Sequence, residues 1–285
     1  MHGLHARIPK SFVLEERLER YASAIEPAPE RWRGRWAEAC WPGLGTSAQE
    51  GGANRFSEVR LDLGCGKGSF TVEAARQEPD VLFVGMDSEP ICIAHAAQLA
   101  CESGLSNVLI VPGDGMRIRE FFSAGELSRI YLNFPTPFPR KREAKRRMAS
   151  MERLMDFRAV LSGDGEVRLR TDSQPLFDFM LTQVPLAGYE LLWSSRDAHA
   201  EAPCDLASEY EERLSARGAH VLALTTRPAP GPAPEHPEQT AELSLATYLP
   251  HELDELEQLS YAPHGMESTV ENLRNYAARH HGSQG

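Results

Sequence analysis

Between residues 57 and 225 the chain alternates β-branched and aromatic runs with stretches of helical character, and this alternation leaves few folds open to it. Strands are predicted near 58–63, 81–86, 107–111, 128–133, 165–171, 188–194 and 219–225, with helices between them. Strands separated by helices pair in parallel, so the pattern predicts an α/β, doubly wound, Rossmann-like sheet with helices on both faces. In such sheets ligands sit at the strand ends, and those ends carry the chemistry-bearing residues here.

The first predicted strand runs into a glycine loop, Val59-Arg-Leu-Asp-Leu-Gly-Cys-Gly-Lys-Gly-Ser-Phe70. Glycines at 64, 66 and 68 let a ligand approach the backbone with no Cβ in the way. A dinucleotide fingerprint would need a glycine at 69, where Ser69 stands. The second strand, Val81-Leu-Phe-Val-Gly-Met-Asp87, ends in an acid about 20 residues past the loop, suited to ribose hydroxyls. The third, Asn107-Val-Leu-Ile-Val-Pro-Gly-Asp-Gly115, ends in Asp114, suited to an adenine amino group. With Asp62 on the first strand, three acids on three successive strands fit an S-adenosylmethionine pocket better than a nicotinamide one.

The fourth strand ends in a rigid turn followed by a basic cluster, Tyr131-Leu-Asn-Phe-Pro-Thr-Pro-Phe-Pro-Arg-Lys-Arg-Glu-Ala-Lys-Arg-Arg-Met148. Pro135, Pro137 and Pro139 fix φ and restrain the residues before them. Arg140, Lys141, Arg142, Lys145, Arg146 and Arg147 place six cations in eight positions, and with Glu143 the run carries +5. The whole chain carries −11, so the remainder carries −16. A positive island on an acidic protein suits a polyanion held at one place, although an exposed helix face would also be rich in such residues.

Taken together, these motifs resemble the bacterial tRNA (guanine-N7-)-methyltransferase family over roughly residues 1–225. The matching pieces are Leu61–Phe70, Val84–Asp87, Gly113–Gly115, Arg129–Pro135, Lys141–Arg147, Arg170–Phe177 and Ser208–Gly218, in the family's order. The resemblance implies a methyltransferase that moves a methyl group from S-adenosylmethionine to N7 of a guanosine in the variable loop of tRNA. It also implies a last strand that runs antiparallel. Cofactor contacts are expected from Asp62, Gly64, Gly66, Gly68, Asp87, Asp114, Gly115, Asn133 and Thr136. Substrate contacts are expected from Arg140, Asp172, Ser208, Glu209, Tyr210 and Glu211, and RNA contacts from Arg142, Lys145, Arg146 and Arg147.

Methyl transfer to N7 needs no base, because that nitrogen carries a free in-plane lone pair at neutral pH. Alignment and stabilisation of the cationic product are what remain for the protein. The resemblance makes Asp172 and Thr136 the catalytic candidates. A carboxylate at Asp172 or Glu211 can accept both donors on guanine's Watson–Crick edge, which adenine cannot supply together. Against these readings stand a helix N-cap for Asp172, ahead of Gln174-Pro175, and a solvated face for Glu211 among Glu209 and Glu212.

The chain departs from the family pattern in several places. Thr136 stands where the family has an aspartate, and Phe138 replaces a tryptophan. Arg140 replaces a lysine, and Asp62 and Asp87 replace glutamates. Threonine offers no negative charge to a developing purinium, so an alternative reading is a catalytically weakened tRNA-binding protein that keeps the cofactor pocket. A third reading, a small-molecule methyltransferase of the same fold, leaves the basic run without a purpose.

Outside the sheet, residues 1–56 read as an N-terminal arm with a helical stretch from Val13 to Ala24. In Arg31-Trp-Arg-Gly-Arg-Trp36 the tryptophans either anchor the arm or stack on nucleotides, and anchoring is the expectation. The methyltransferase domain is expected over 57–225 and a Pro-rich linker over 226–240, with five prolines between Arg227 and Pro237. A short helical extension is expected over 241–285, with Leu253, Leu256 and Leu259 on one helix. A capping box at Ser268-Thr-Val-Glu271 would start another, with Val270, Leu273, Tyr276 and Ala277 inward.

Among the 285 residues, 41% are apolar and 25% charged, as in soluble globular chains, and no apolar run approaches a membrane span. Five cysteines (40, 65, 92, 101 and 204) without framework spacing point to a reducing cytoplasm. Cys92 and His95 alone do not make a metal site. Neither a membrane nor an obligatory protein partner is expected.

Overall fold

A computed structural model of the chain describes residues 13–39, 56–201, 206, 209–215, 220–250, 262 and 266–281. Among the described residues seven strands form mostly parallel sheet structure, three of them in one part of the chain and four in the other. The chain divides into two compact units, one ending at Gly115 and the other beginning at Met116.

In the first unit, β1 (Glu58–Leu63), β2 (Val81–Asp87) and β3 (Val108–Pro112) pair in parallel, with Leu61 opposite Val84 and Val84 opposite Leu109. All three are buried along almost their whole length, as strands covered on both faces must be. Helix α2 (Ser69–Gln77) returns from β1 to β2, and α3 (Pro90–Ser103) returns from β2 to β3. The arm begins with α1 (Leu14–Arg20), which packs on α3. It then joins the edge of β3, where Ile25 bridges Ile110 and the Glu26 amide donates to the Ile110 carbonyl at 2.8 Å.

Anchoring is what the arm's aromatic residues do. The buried carboxylate of Glu26 accepts from Trp32 Nε1 (2.7 Å) and Arg31 Nε (2.8 Å), and Trp36 is fully buried. Arg31 and Arg35 lie over the Trp32 ring, which is half-buried.

The second unit opens with a single helical turn, α4 (Ile118–Phe121), before β4 (Leu127–Asn133). It continues through α5 (Met151–Arg158), β5 (Leu161–Thr171), α6 (Gln174–Leu186) and β6 (Tyr189–Ser195). Two short helices, α7 (Ala198–Glu201) and α8 (Glu209–Ser215), precede β7 (Leu222–Pro228). β4 and β5 are parallel, whereas β7 runs antiparallel to both β5 and β6. The antiparallel last strand is as expected. It runs to Pro228, three residues past the expected boundary, because Thr226 pairs with Val167 and Pro228 with Tyr189.

The proline-rich stretch after β7 lies along α5 and α6 rather than hanging free. Arg158 donates to the carbonyls of Gly188 (2.6 Å), Ala229 (3.1 Å) and Gly231 (2.8 Å). Further on, α9 (Glu267–His281) already includes Ser268 in its first turn, so that serine is not the expected cap. Val270 is buried, but Tyr276, expected inward, is 62% exposed. The helix expected at Leu253, Leu256 and Leu259 lies outside the described residues.

Candidate active site

The glycine loop is shaped by the end of β2. The amides of Gly64 and Cys65 donate to the Met86 carbonyl at 2.8 and 3.0 Å. Gly66 N–H then donates to Asp87 Oδ2, and Glu89 N–H to Asp87 Oδ1, each at 2.9 Å. Asp87 thus ties the loop to the start of α3 while remaining partly exposed. Gly64, Gly66 and Gly68 all have positive φ, at 79°, 55° and 79°. A Cβ on Gly64 or Gly66 would meet no atom within 4 Å, so the backbone there faces open space. A Cβ on Gly68 would stand 2.9 Å from Ala96 Cβ, so that glycine serves the close approach of α2 to α3.

Asp114 is exposed at the end of β3. Gly115 is buried, and a Cβ there would press on the Leu63 side chain at 2.9 Å, so its role is packing rather than contact. Asp62 corrects the sequence reading in the same way. It is 1% exposed and accepts from Thr71 Oγ1 at 2.6 Å, a bond that ties β1 to α2.

Burial raises the pKa of Asp87 above the ordinary carboxylate value, against the backbone donors that lower it. A carboxyl harder to ionise in the folded state favours folding while protonated, and this contribution is lost as pH rises from the unfolded value through the raised one. Thermal melts of the ligand-free protein should therefore show Asp87→Asn flattening part of the pH dependence above about pH 4. In calorimetric titration the same variant should weaken S-adenosylmethionine binding, a lost charge-assisted hydrogen bond being worth about 1–3 kcal/mol. Unchanged affinity would remove Asp87 from the pocket.

In the second unit the turn after β4 is strained at two places. Phe134 and Phe138 have φ of 50° and 46°, left-handed values that bulky residues adopt only when held there. Phe134 N–H donates to the Arg170 carbonyl at 2.7 Å, and its ring packs against Ala198, Val221 and Ala223. Asn133 is half-buried at the strand end, and Thr136 is exposed at the turn's tip. Asp172 is half-buried at the end of β5 and is not the cap of α6. Ser173 takes that role, its Oγ accepting from Leu176 N–H at 3.4 Å.

Of the six cations after the turn, Arg140, Lys141, Arg142, Lys145 and Arg146 are exposed. Arg147, expected to contact RNA, is fully buried instead. Its Nε donates to the carbonyls of Pro137 (3.1 Å) and Phe138 (3.0 Å), and its Nη2 to Phe138 (2.7 Å). Removal from water lowers its pKa to about 10.

Glu211, expected to read guanine, is 1% exposed on α8. Both its oxygens are engaged by Arg170, Nε to Oε2 at 2.9 Å and Nη2 to Oε1 at 2.5 Å, and His199 Nε2 lies 3.3 Å from Oε1. Its carboxylate is committed to a buried ion pair instead of being offered to a base. Ser208 lies outside the described residues, and for Glu209 and Tyr210 only the helical backbone is described. Arg170 is the residue that sequence reading missed. β5 also carries Asp164, Glu166 and Arg168, so nothing in the sequence set Arg170 apart from its charged neighbours as the one that is buried.

A family model described as "Putative methyltransferase" matches residues 57–224. The tRNA (guanine-N(7)-)-methyltransferase of Geobacillus kaustophilus is 33% identical over 208 residues, 73% of this chain and 90% of that protein. The protein of the same name from Levilactobacillus brevis is 38% identical over 160 residues, 55% of this chain and 74% of its own length. Among solved structures, one titled "Crystal Structure of 16S rRNA Methyltranferase KamB" superposes with a TM-score of 0.48 at 20% identity, over 62% of this chain and 90% of that one.

Proposed function

The chain belongs to the tRNA (guanine-N(7)-)-methyltransferase family, and from that premise we infer how its own residues carry the reaction. It is an S-adenosylmethionine-dependent enzyme that methylates guanine N7 in tRNA. The finer reading, a guanosine of the variable loop methylated in the cytoplasm, follows the resemblance already described. The free thiols of Cys65, Cys92 and Cys101 agree with a reducing compartment.

The first unit suits the cofactor. The loop at Gly64 and Gly66 leaves its backbone open, Asp87 stands at the end of β2 for the ribose, and Asp114 is exposed for the adenine. When bound, S-adenosylmethionine supplies a methyl group already activated by its sulfonium, so the chain need provide no nucleophile. What remains is orientation and charge. In the second unit Asp172, with the capping of α6 left to Ser173, offers a half-buried carboxylate to the positive charge that grows on the purine. The strained turn presents Thr136, and Asn133 stands half-buried at the end of β4 just before it.

The observation that carries the tRNA reading is the row of five exposed cations directly after that turn. Phosphate contacts of this kind release counterions, so binding weakens with salt in proportion to their number. Arg142→Glu with Lys145→Glu should weaken tRNA binding and flatten the plot of log affinity against log salt by roughly two contacts' worth. Cofactor affinity should be unchanged. An identical salt slope in variant and wild type would make the run a solvated face with no part in RNA binding.

A further inference from the structure

We propose that residues 229–250, which follow the stretch matched by the family, form a strap that holds the Pro135–Pro139 turn in its reactive shape through Arg147, and that Arg147 is a positioning residue. The proposal rests on the methyltransferase reading for what the turn does, but not for how the turn is held.

The turn cannot hold itself. Pro135, Pro137 and Pro139 have no N–H to donate, and Phe134 and Phe138 are both in the left-handed region. Such a conformation persists only where its surroundings over-determine it. Arg147 supplies one part of the restraint, gathering the carbonyls of Pro137, Phe138 and Arg140 (3.5 Å) around one guanidinium. Its planar fork is suited to several acceptors at once, which a lysine ammonium on a flexible stem is not.

The strap supplies the rest. Leu245 N–H donates to the Pro139 carbonyl at 3.0 Å, closing the far end of the turn. The Arg147 guanidinium rests on the Phe179 ring, 4.7 Å from its centroid, and the strap's Tyr248 meets that ring edge-on at 6.1 Å. Phe179 is thus held between Arg147 and the strap. Leu245 and Leu249 are buried, and Gln239 exchanges amide hydrogen bonds with Gln183 of α6 at 2.6 and 3.2 Å. The strap's beginning is fastened by Arg158, as described above. Because the family match ends at residue 224, the strap is a support for the turn supplied from outside the matched region.

Two full-length variants test this. Leu245→Pro removes the N–H that reaches Pro139, and Arg147→Met keeps an apolar stem but no donors, with Arg147→Lys as the conservative partner. Hydrogen exchange of the peptide 133–147 is measured beside kcat on tRNA. The expected result is at least tenfold faster exchange in that peptide for Leu245→Pro and Arg147→Met. A fall of at least tenfold in kcat should accompany it, with partial recovery in Arg147→Lys. Unchanged exchange in Leu245→Pro would overturn the strap. Faster exchange with wild-type kcat would overturn its positioning role. A wild-type protein that never methylates tRNA would count against the enzymatic reading, and the exchange measurement would still decide the strap.

Discussion

Asp172→Asn is expected to lower the single-turnover rate of tRNA methylation by about 10²–10³, the usual loss when one charge-stabilising contact is removed from a transition state. Affinities for tRNA and cofactor should change little, because the contact strengthens only as the purine gains charge. The carboxylate sits at the end of β5, and Ser173, not Asp172, caps α6, so the substitution spares the helix. Thr136→Asp is the companion variant. With Asp172 in the charge-stabilising role, a second carboxylate on the exposed turn should bring no gain, through like-charge repulsion. A wild-type rate for Asp172→Asn, with no gain from Thr136→Asp, would remove carboxylates from the account.

Gly66→Val should weaken S-adenosylmethionine binding by at least about 100-fold, or roughly 2.8 kcal/mol. Two effects add. A β-branched residue at φ 55° is strained, and its side chain would fill space that no protein atom occupies. Gly68→Val provides the contrast. There the new side chain would strike Ala96, so the damage should appear as a lower melting temperature rather than as a selective loss of binding. Calorimetry and thermal melts on both variants separate the two. Equal cofactor affinity in Gly66→Val and wild type would mean the open space at the loop is not where the cofactor lies.

Much of the sheet was legible because its strands are buried on both faces and therefore apolar in sequence. β1 and β2 fall where Val59, Leu61, Val81 and Phe83 put them. β5 begins earlier than expected, at Leu161, because Leu161 pairs with Leu127 of β4, while Ser162-Gly-Asp-Gly165 carries no apolar pattern and falls in a register shift before Glu166 pairs with Arg129. The loop glycines and Asp87 were readable from local spacing. The roles of Arg147 and Glu211 were not, since both looked like their exposed neighbours. What buries Arg147 is a set of carbonyls 7 to 10 residues upstream and a ring on α6, and what engages Glu211 is an arginine 41 residues away. Those partners exist only once the fold brings them together. The same holds for residues 229–250, expected as a Pro-rich linker as far as 240 and a helical extension beyond it, whereas hydrogen bonds to Gly188, Pro139 and Gln183 make them part of the second unit.

The central claim is tested most directly by incubating the purified full-length protein with methyl-labelled S-adenosylmethionine and tRNA, then digesting the RNA to nucleosides. The account predicts label in 7-methylguanosine, formed far more slowly in Asp172→Asn and retained in Arg142→Glu/Lys145→Glu when tRNA is raised to saturation. Tight binding of both cofactor and tRNA with no methylated nucleoside, or label on any position other than guanine N7, would contradict it.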